Sequence, residues 1–170
     1  PITFWTMMIS TLAISGIFPF SGFWSKDEIL MTAFHSNIPL WIIGSIASIM
    51  TAFYMFRLMY LTFFNDFRGT EEQKHHLHES PALITVPLVI LATLAAIGGA
   101  ISLPGNSWLN HYLAPLFKKH EAHHLDGQAY MLMAIATVGA LVGIGIAYSK
   151  YLKKKEIPVA DSEVQGLHKV

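Results

Sequence analysis

The chain has 170 residues, of which 53% are hydrophobic and 13% are charged. Soluble domains carry about 25% charged residues, and here the charges fall in short blocks between long apolar runs, which is typical of membrane proteins. The formal net charge is zero, which gives no support to a nucleic-acid partner. The absence of cysteine excludes disulfides, thiolate metal sites and thiol catalysis.

The chain opens directly on an apolar run that follows Pro1. No initiator Met and no basic segment precede this run, so we do not expect a signal peptide. At the other end, residues 156–170 form a polar tail. A chain of this kind is expected to be incomplete at both ends.

Residues 1–36 are predicted to form one discontinuous helix. Pro19 removes a backbone donor and clashes with the preceding turn, and Gly16 and Gly22 loosen the helix on both sides. Two topologies fit this pattern: either residues 2–20 span the membrane and a short surface or re-entrant turn follows, or a single helix is broken near Pro19. The broken helix is our preferred interpretation.

The charged triplet after this break has two interpretations. Ser25 is the predicted N-cap of the second half-helix, and Asp27 and Glu28 then lie in its first turn, where the helix dipole favours negative charge. Lys26 gains nothing from that dipole. The triplet is either a hydrophilic loop at the membrane surface or the site of a buried lysine that exchanges a proton, since desolvation penalises the ammonium form.

Three later apolar runs are long enough to cross a bilayer. A spanning helix needs about 20 apolar residues, because each residue adds about 1.5 Å across a hydrocarbon core of about 30 Å. These runs predict spanning helices at residues 39–64, 81–103 and 129–152. The predicted fold is therefore all-α, a polytopic transmembrane helix bundle over residues 1–155 with about four membrane-crossing segments.

Basic residues predict the orientation of these helices. Because the three runs alternate in direction, the loop at 65–80 and the segment after Leu152 lie on one side of the membrane. That side carries the excess of lysine and arginine and is expected to face the cytoplasm or its equivalent. Arg57, inside the run at 39–64, is expected to extend its side chain toward the same side. The basic residues on this side are Arg68, Lys74, Lys150, Lys153, Lys154, Lys155 and Lys169, against Lys118 and Lys119 on the other.

The sequence around the predicted break resembles a known family. Residues 13–30 read AISGIFPFSGFWSKDEIL, which is similar to the GIxPFxGFxSKDEI signature of the antiporter-like subunits of respiratory complex I, above all bacterial subunit L and its mitochondrial counterpart. Residues 51–63 and the tetrapeptide HESP at 78–81 resemble the elements that follow in that subunit. The resemblance covers residues 1 to about 155.

This resemblance implies a proton-translocating membrane subunit of NADH:quinone oxidoreductase, located in the bacterial inner membrane. It implies that Lys26 is a proton-relay residue and that Asp27 connects the relay to the outer aqueous side. The implied partners are the other membrane subunits of the complex, adjacent antiporter-like subunits especially, and the lipid bilayer. Flavin, iron–sulfur clusters and quinone are implied in partner subunits, and we expect no cofactor in this chain.

Two further residues are candidates for a proton exit path beyond Lys26. His35 is predicted near the end of the second half-helix, close to the outer boundary of the membrane, and Glu28 lies in the same half-helix. A plain interfacial histidine is the alternative interpretation of His35.

Histidine-rich loops are predicted to be solvated rather than metal-binding. Residues 120–124 read HEAHH and formally match the HExxH pattern of zinc proteases. The motif lies in a short loop that nothing closes into a cleft, so we predict neither a metal site nor hydrolysis there. The same prediction holds for His75, His76 and His78 in the loop at 65–80.

Other functions remain open at this point. A subunit of an Mrp-type cation/proton antiporter or of a related membrane-bound hydrogenase shares this half-channel. A structural membrane anchor belongs to a different class, but an anchor has no use for a broken helix that carries Lys26, Asp27 and Glu28.

Overall fold

The computed structural model describes residues 1–67, 71–103, 106–108, 112, 115 and 127–154. Within these residues the regular elements are helices apart from one antiparallel pair of two-residue strands, so the predicted all-α fold is confirmed with that small exception. In chain order the elements are α1 (Ile2–Ile14), α2 (Ser21–Ser36), α3 (Ile38–Met59), α4 (Glu71–His75), α5 (Ala82–Ile97), the strands β1 (Ser102–Leu103) and β2 (Asn106–Ser107), and α6 (Gly127–Ala147).

The three long helices continue past their α-helical ends with a different hydrogen-bond spacing. A π-helical segment, Tyr60–Phe64, extends α3, and another, Tyr148–Lys153, extends α6. A 3₁₀ turn, Gly98–Ile101, extends α5. With these extensions, 38–64, 82–101 and 127–153 are each long and apolar enough to cross a membrane.

The structure ends the second of these spans earlier than the sequence predicts. Residues 81–103 were expected to form one helix, but the α-helix stops at Ile97 and residues 102–103 pair with 106–107 as strands. The cause is the Gly98–Gly99 pair, because glycine gives the backbone freedom that favours leaving a helix.

Side-chain contacts show how the helices are oriented relative to one another. Gly139 and Gly143 of α6 face Ile49 of α3, and further along both helices Ala147 packs with Phe56, so α3 and α6 run parallel. In α1 the order is reversed, since the Phe4 ring meets Phe63 and Phe64 edge to face, whereas the later Leu12 packs against the cluster that contains Phe56. The start of α1 therefore lies at the same end as the loop at 65–80.

The core of the bundle lies where α3 and α6 end. Its buried residues are Phe56, Tyr60, Ala147 and Tyr151. The guanidinium carbon of Arg57 lies 5.2 Å from the centre of the Tyr151 ring, a distance that permits cation–π attraction. The side chain of Arg57 thus extends toward the basic end of the bundle.

The outward surface of the long helices is apolar. Leu83, Leu91 and Ile97 of α5 are 89%, 59% and 61% exposed, and Ile43 and Met50 of α3 are 65% and 62% exposed. Such a surface is suited to lipid tails or to neighbouring helices and not to water.

Candidate functional site

The break between α1 and α2 lies opposite the middle of α3. Leu12, near the end of α1, packs against the buried cluster that contains Phe56 and Tyr60, and Leu30 of α2 contacts Gly44. Residues 15–20 therefore lie at a level between Gly44 and that cluster, within the apolar span 38–64. Irregular backbone at such a depth requires partners from within the protein or from a water-filled cavity.

The chain leaves α1 through a Schellman motif. The amide of Ile17 donates to the carbonyl of Leu12 at 3.1 Å, and the amide of Gly16 donates to the carbonyl of Ala13 at 3.0 Å. This pair of bonds is the signature of the motif and satisfies two of the carbonyls that a helix end leaves free. The carbonyl of Ile14, the last residue of α1, is not part of that pattern.

Two glycines shape the turn. Gly16 has φ of +75°, a left-handed conformation that costs other residues roughly 1–2 kcal/mol. A Cβ on Gly22 would lie 1.9 Å from the carbonyl oxygen of Ala13, so only glycine lets the start of α2 pack directly against the end of α1. A cis peptide bond joins Phe18 and Pro19 between them.

The side chain of Lys26 bonds to the Ile14 carbonyl, which the turn leaves free. Its Nζ donates a hydrogen bond of 3.0 Å to the carbonyl of Ile14, across the break from α2 to α1. A Cβ on Gly16 would lie 3.4 Å from Cδ of Lys26, so the lysine stem runs over the glycine. The ammonium therefore meets the negative end of the α1 dipole, which favours a cation there. This contact explains why a lysine occupies α2 although its own helix dipole does not favour it.

Three residues near the break in sequence have buried polar atoms without hydrogen-bond partners among the described residues. Oδ2 of Asp27, the residue next to Lys26, is buried without a hydrogen bond in the part of the chain that the structure describes. The same is true of the hydroxyls of Thr11 and Ser15, which lie one turn apart in α1 and at its end, and which are 0% and 1% exposed. Buried polar groups are seldom left unpaired in folded proteins. The segments on either side of the break thus include a cation, a carboxylate and two hydroxyls.

The predicted cap of the second half-helix is wrong. Helix α2 begins at Ser21 with Phe20 as its N-cap, so Ser25 lies inside the helix, where its hydroxyl donates to the carbonyl of Ser21 at 3.3 Å. Asp27 and Glu28 consequently lie in the second turn and not in the first. The helix begins one turn early because Gly22 allows close packing on α1, so Gly22 is part of α2 and only Gly16 and Pro19 lie within the break.

The two exit candidates are placed further along α2. His35 lies in its last turn and is exposed, with its ring 5.7 Å from that of Phe34. Glu28 is half-buried and lies seven residues earlier, so both share one face of the helix. Nine residues separate Lys26 from His35, about 13 Å along the axis. The structure therefore does not bring His35 to the lysine.

The histidine loops hold no cluster of metal ligands in the residues that can be described. Three side chains suited to binding a metal do not converge anywhere in these residues. The HEAHH segment at 120–124 and the polar tail at 156–170 lie outside the described residues. The prediction about hydrolysis at that segment therefore stays a prediction.

A contact that the sequence does not predict involves Glu79. Its carboxylate accepts hydrogen bonds from the amides of Ile2 and Thr3 and from the hydroxyl of Thr3, and it pairs with the N-terminal amine of Pro1. The amine, the hydroxyl and the two amides lower the pKa of Glu79 to about 2. Residue spacing gives no sign of this contact, because the partners are more than 70 positions apart.

A known protein family matches the first part of the chain. Residues 1–53 match the family described as NADH:quinone oxidoreductase/Mrp antiporter, transmembrane. The match covers α1, the break, α2 and most of the first long span.

Individual relatives extend this similarity over nearly the whole chain. NAD(P)H-quinone oxidoreductase chain 5 of Picosynechococcus is 42% identical over 96% of this chain and 28% of its own length. Subunit L of the NADH-quinone oxidoreductase of Mycobacterium tuberculosis is 38% identical over 89% of the chain and 24% of its own length. The chloroplastic subunit 5 of Chara vulgaris gives the same three values. The chain thus spans about a quarter of the length of these relatives, and the resemblance predicted from the sequence is confirmed.

Proposed function

We propose that this chain is part of a proton-translocating, antiporter-like membrane subunit of an NADH:quinone oxidoreductase. The observation that carries the proposal is the hydrogen bond from Lys26 to the Ile14 carbonyl across a helix break at the level of mid-α3. A titratable residue at such a depth is expensive to maintain and marks an ion or proton pathway by default. The similarity to subunit 5 and subunit L proteins supports the same function.

In this proposal Lys26 carries the proton. When charged, its ammonium donates to the Ile14 carbonyl and is favoured by the α1 dipole. When a charge nearby changes by one unit at about 4 Å, the interaction changes by roughly 4 kcal/mol at an effective dielectric of 20. That energy corresponds to about a thousandfold change in proton affinity, which is enough to load and unload one site.

Asp27 and the buried hydroxyls provide the next positions for the proton. Oδ2 of Asp27 accepts no hydrogen bond within the described residues and so is available for water. Thr11 and Ser15 offer two more such atoms beside the break. In this proposal, water bound to these atoms passes the proton on from Lys26. Glu28 and His35 then continue the path toward the far end of α2.

Redox chemistry belongs to other subunits in this proposal. The flavin, the iron–sulfur clusters and the quinone site lie in partner subunits, and neighbouring antiporter-like subunits pack against the exposed apolar faces of the long helices. The setting is a lipid membrane, and a bacterial inner membrane matches the Picosynechococcus and Mycobacterium relatives. The family description also names Mrp antiporters, whereas the relatives described above are quinone oxidoreductase subunits.

The test is proton pumping by the assembled complex that contains Lys26→Ala in the full-length subunit. We expect assembly to persist and the number of protons moved per electron to fall, because alanine carries no proton. Lys154→Ala is the matched control, since Lys154 is an exposed lysine just past the π-helical end of α6. Normal pumping by Lys26→Ala would contradict the proposal, as would an equal loss in the control.

A further inference from the structure

Glu79 caps the first turn of α1 from a distant part of the chain. The amides of Ile2 and Thr3 donate to its two carboxylate oxygens at 2.9 and 3.2 Å, and the hydroxyl of Thr3 donates to the same group. The first amides of a helix have no partner within the helix, and a carboxylate there is also favoured by the helix dipole. Glu79 therefore satisfies donors that the short apolar helix cannot satisfy itself.

This cap does not depend on what precedes Pro1. A proline within a longer chain carries no amide hydrogen, and its ring disfavours a helical turn on its N-terminal side. The amides of Ile2 and Thr3 thus remain without helical partners whether or not more residues come before them. The ion pair of Glu79 with the Pro1 amine adds to the contact in this chain but is not needed for it.

The end of α5, the helix that follows Glu79, touches the start of α2. A Cβ on Gly99 would lie 2.8 Å from Cα of Ser21 and 2.6 Å from Cδ1 of Trp24. Gly99 is buried in the 3₁₀ turn that extends α5. Because one of the close atoms belongs to the backbone of Ser21, the first residue of α2, a side chain at position 99 would push the second half-helix away.

Helix α5 therefore contacts both halves of the broken helix. Glu79 lies just before α5 and holds the start of α1, whereas Gly99 lies just after α5 and meets the start of α2. The 13 residues of α1 are about 20 Å long and the 16 residues of α5 are about 24 Å long. The longer helix thus extends past the end of α1, across the break.

We propose that α5 is a brace that fixes the separation of the two half-helices, with Glu79 and Gly99 as the positioning residues for Lys26. The lysine reaches from α2 to a carbonyl of α1, so its hydrogen bond exists only while the two halves keep their spacing. Glu79 sets the position of α1 along α5, and Gly99 sets the position of α2. The consequence for proton movement rests on the proposed function, whereas the brace itself is a structural statement.

Hydrogen exchange in the assembled complex tests the brace at Glu79. In Glu79→Ala we expect the amides of the first turn of α1 to exchange about fivefold faster, the factor that a lost helix cap produces, and the amides of residues 15–20 to lose protection as well. Glu79→Gln keeps an acceptor oxygen and should restore most of the protection. Glu72→Ala is the matched control, because Glu72 is an exposed carboxylate of the same loop in α4.

Unchanged exchange at residues 15–20 in Glu79→Ala would overturn the brace, even if the first turn of α1 opens. A cap that acted only locally would give that result. Equal loss of protection in Glu79→Gln and Glu79→Ala would overturn the role of the acceptor oxygen.

The second contact of the brace is tested by Gly99→Ala. We expect increased exchange at residues 15–20 and reduced pumping per electron, because the new methyl group displaces Ser21 and with it Lys26. Gly145→Ala is the control, since nothing lies within 4 Å of a Cβ at that position. Normal pumping and normal exchange in Gly99→Ala would overturn the proposal.

The two proposals fail in different ways. If Lys26→Ala pumps normally while Glu79→Ala opens the break, the brace stands and the proton relay is wrong. If Lys26→Ala abolishes pumping while the Glu79 and Gly99 variants leave exchange at the break unchanged, the relay stands and the brace is wrong.

Discussion

At the scale of single residues, the break depends on three side-chain choices. Gly16 takes the left-handed conformation that closes the Schellman motif, Gly22 lets α2 start against the Ala13 carbonyl, and Lys26 occupies the Ile14 carbonyl that the motif leaves free. The sequence shows that these residues are special but not how they meet. Its prediction of Ser25 as the cap failed because packing on Gly22 starts the helix a turn earlier.

Replacement of Gly16 tests the turn directly. Gly16→Ala should destabilise the full-length subunit by roughly 1–2 kcal/mol, the cost of placing a Cβ in the left-handed region, because φ is +75° there. The added Cβ would also lie 3.4 Å from Cδ of Lys26. The measurement is the midpoint of thermal unfolding, with Gly145→Ala as the control. A midpoint as high as that of the unchanged protein would show that the turn adopts another conformation.

The ionisation of Glu79 gives a prediction for pH. The Pro1 amine, the Thr3 hydroxyl and the amides of Thr3 and Ile2 all lower its pKa, and the hydroxyl and the amides do so whether or not residues precede Pro1. A lowered pKa means that the cap stabilises the fold above pH 4.5 and is lost as the pH falls below that value. Protection of the first turn of α1 against hydrogen exchange, corrected for intrinsic rates, should therefore be constant from pH 5 to 8. A loss of protection within that window would contradict the assignment.

At the scale of the elements, α3 and α6 form the best-packed pair. They run parallel, and Gly139 and Gly143 bring them close, since a Cβ on Gly143 would lie 2.7 Å from the carbonyl oxygen of Ile49. Small residues at such contacts let helix backbones approach in membranes. Beyond this contact the pair ends in the aromatic cluster of Phe56, Tyr60 and Tyr151.

Gly143→Leu should separate these two helices. The larger side chain meets backbone atoms of Ile49 and Phe53, which cannot move aside without shifting α3. We expect a lower yield of assembled complex, measured by native gel electrophoresis, whereas Gly145→Leu on the open face should assemble normally. Equal yields of the two variants would show that the α3–α6 contact does not hold the bundle together.

The sequence predicts long elements better than it predicts the contacts between them. Apolar length alone places the spans near 39–64 and 129–152, because the thickness of the bilayer sets the minimum length of a helix that crosses it. The end of α5 and the start of α2 were misplaced, because both depend on glycines whose neighbours come from other helices. The cap by Glu79 joins residues too far apart for any periodic pattern to indicate.

At the scale of the whole molecule, one end of the bundle is polar and aromatic and its middle contains the break. The start of α1, the π-helical ends of α3 and α6, and the loop with Glu79 meet at the basic end. Helix α5 connects this end to the start of α2 at the break. In the proposed brace, α5 links a change at the basic end of the bundle to the position of Lys26.

In the proposed function, Lys26 releases its proton and does not merely hold two half-helices together. The most direct measurement is the number of protons pumped per electron by membrane vesicles that contain Lys26→Arg in the full-length subunit. Arginine can keep a hydrogen bond to the Ile14 carbonyl and keeps the charge, but it almost never gives up its proton. We expect a complex that assembles and reduces quinone but pumps fewer protons than the unchanged complex. Normal pumping by Lys26→Arg would contradict the proposed function and would make Lys26 a fixed structural cation.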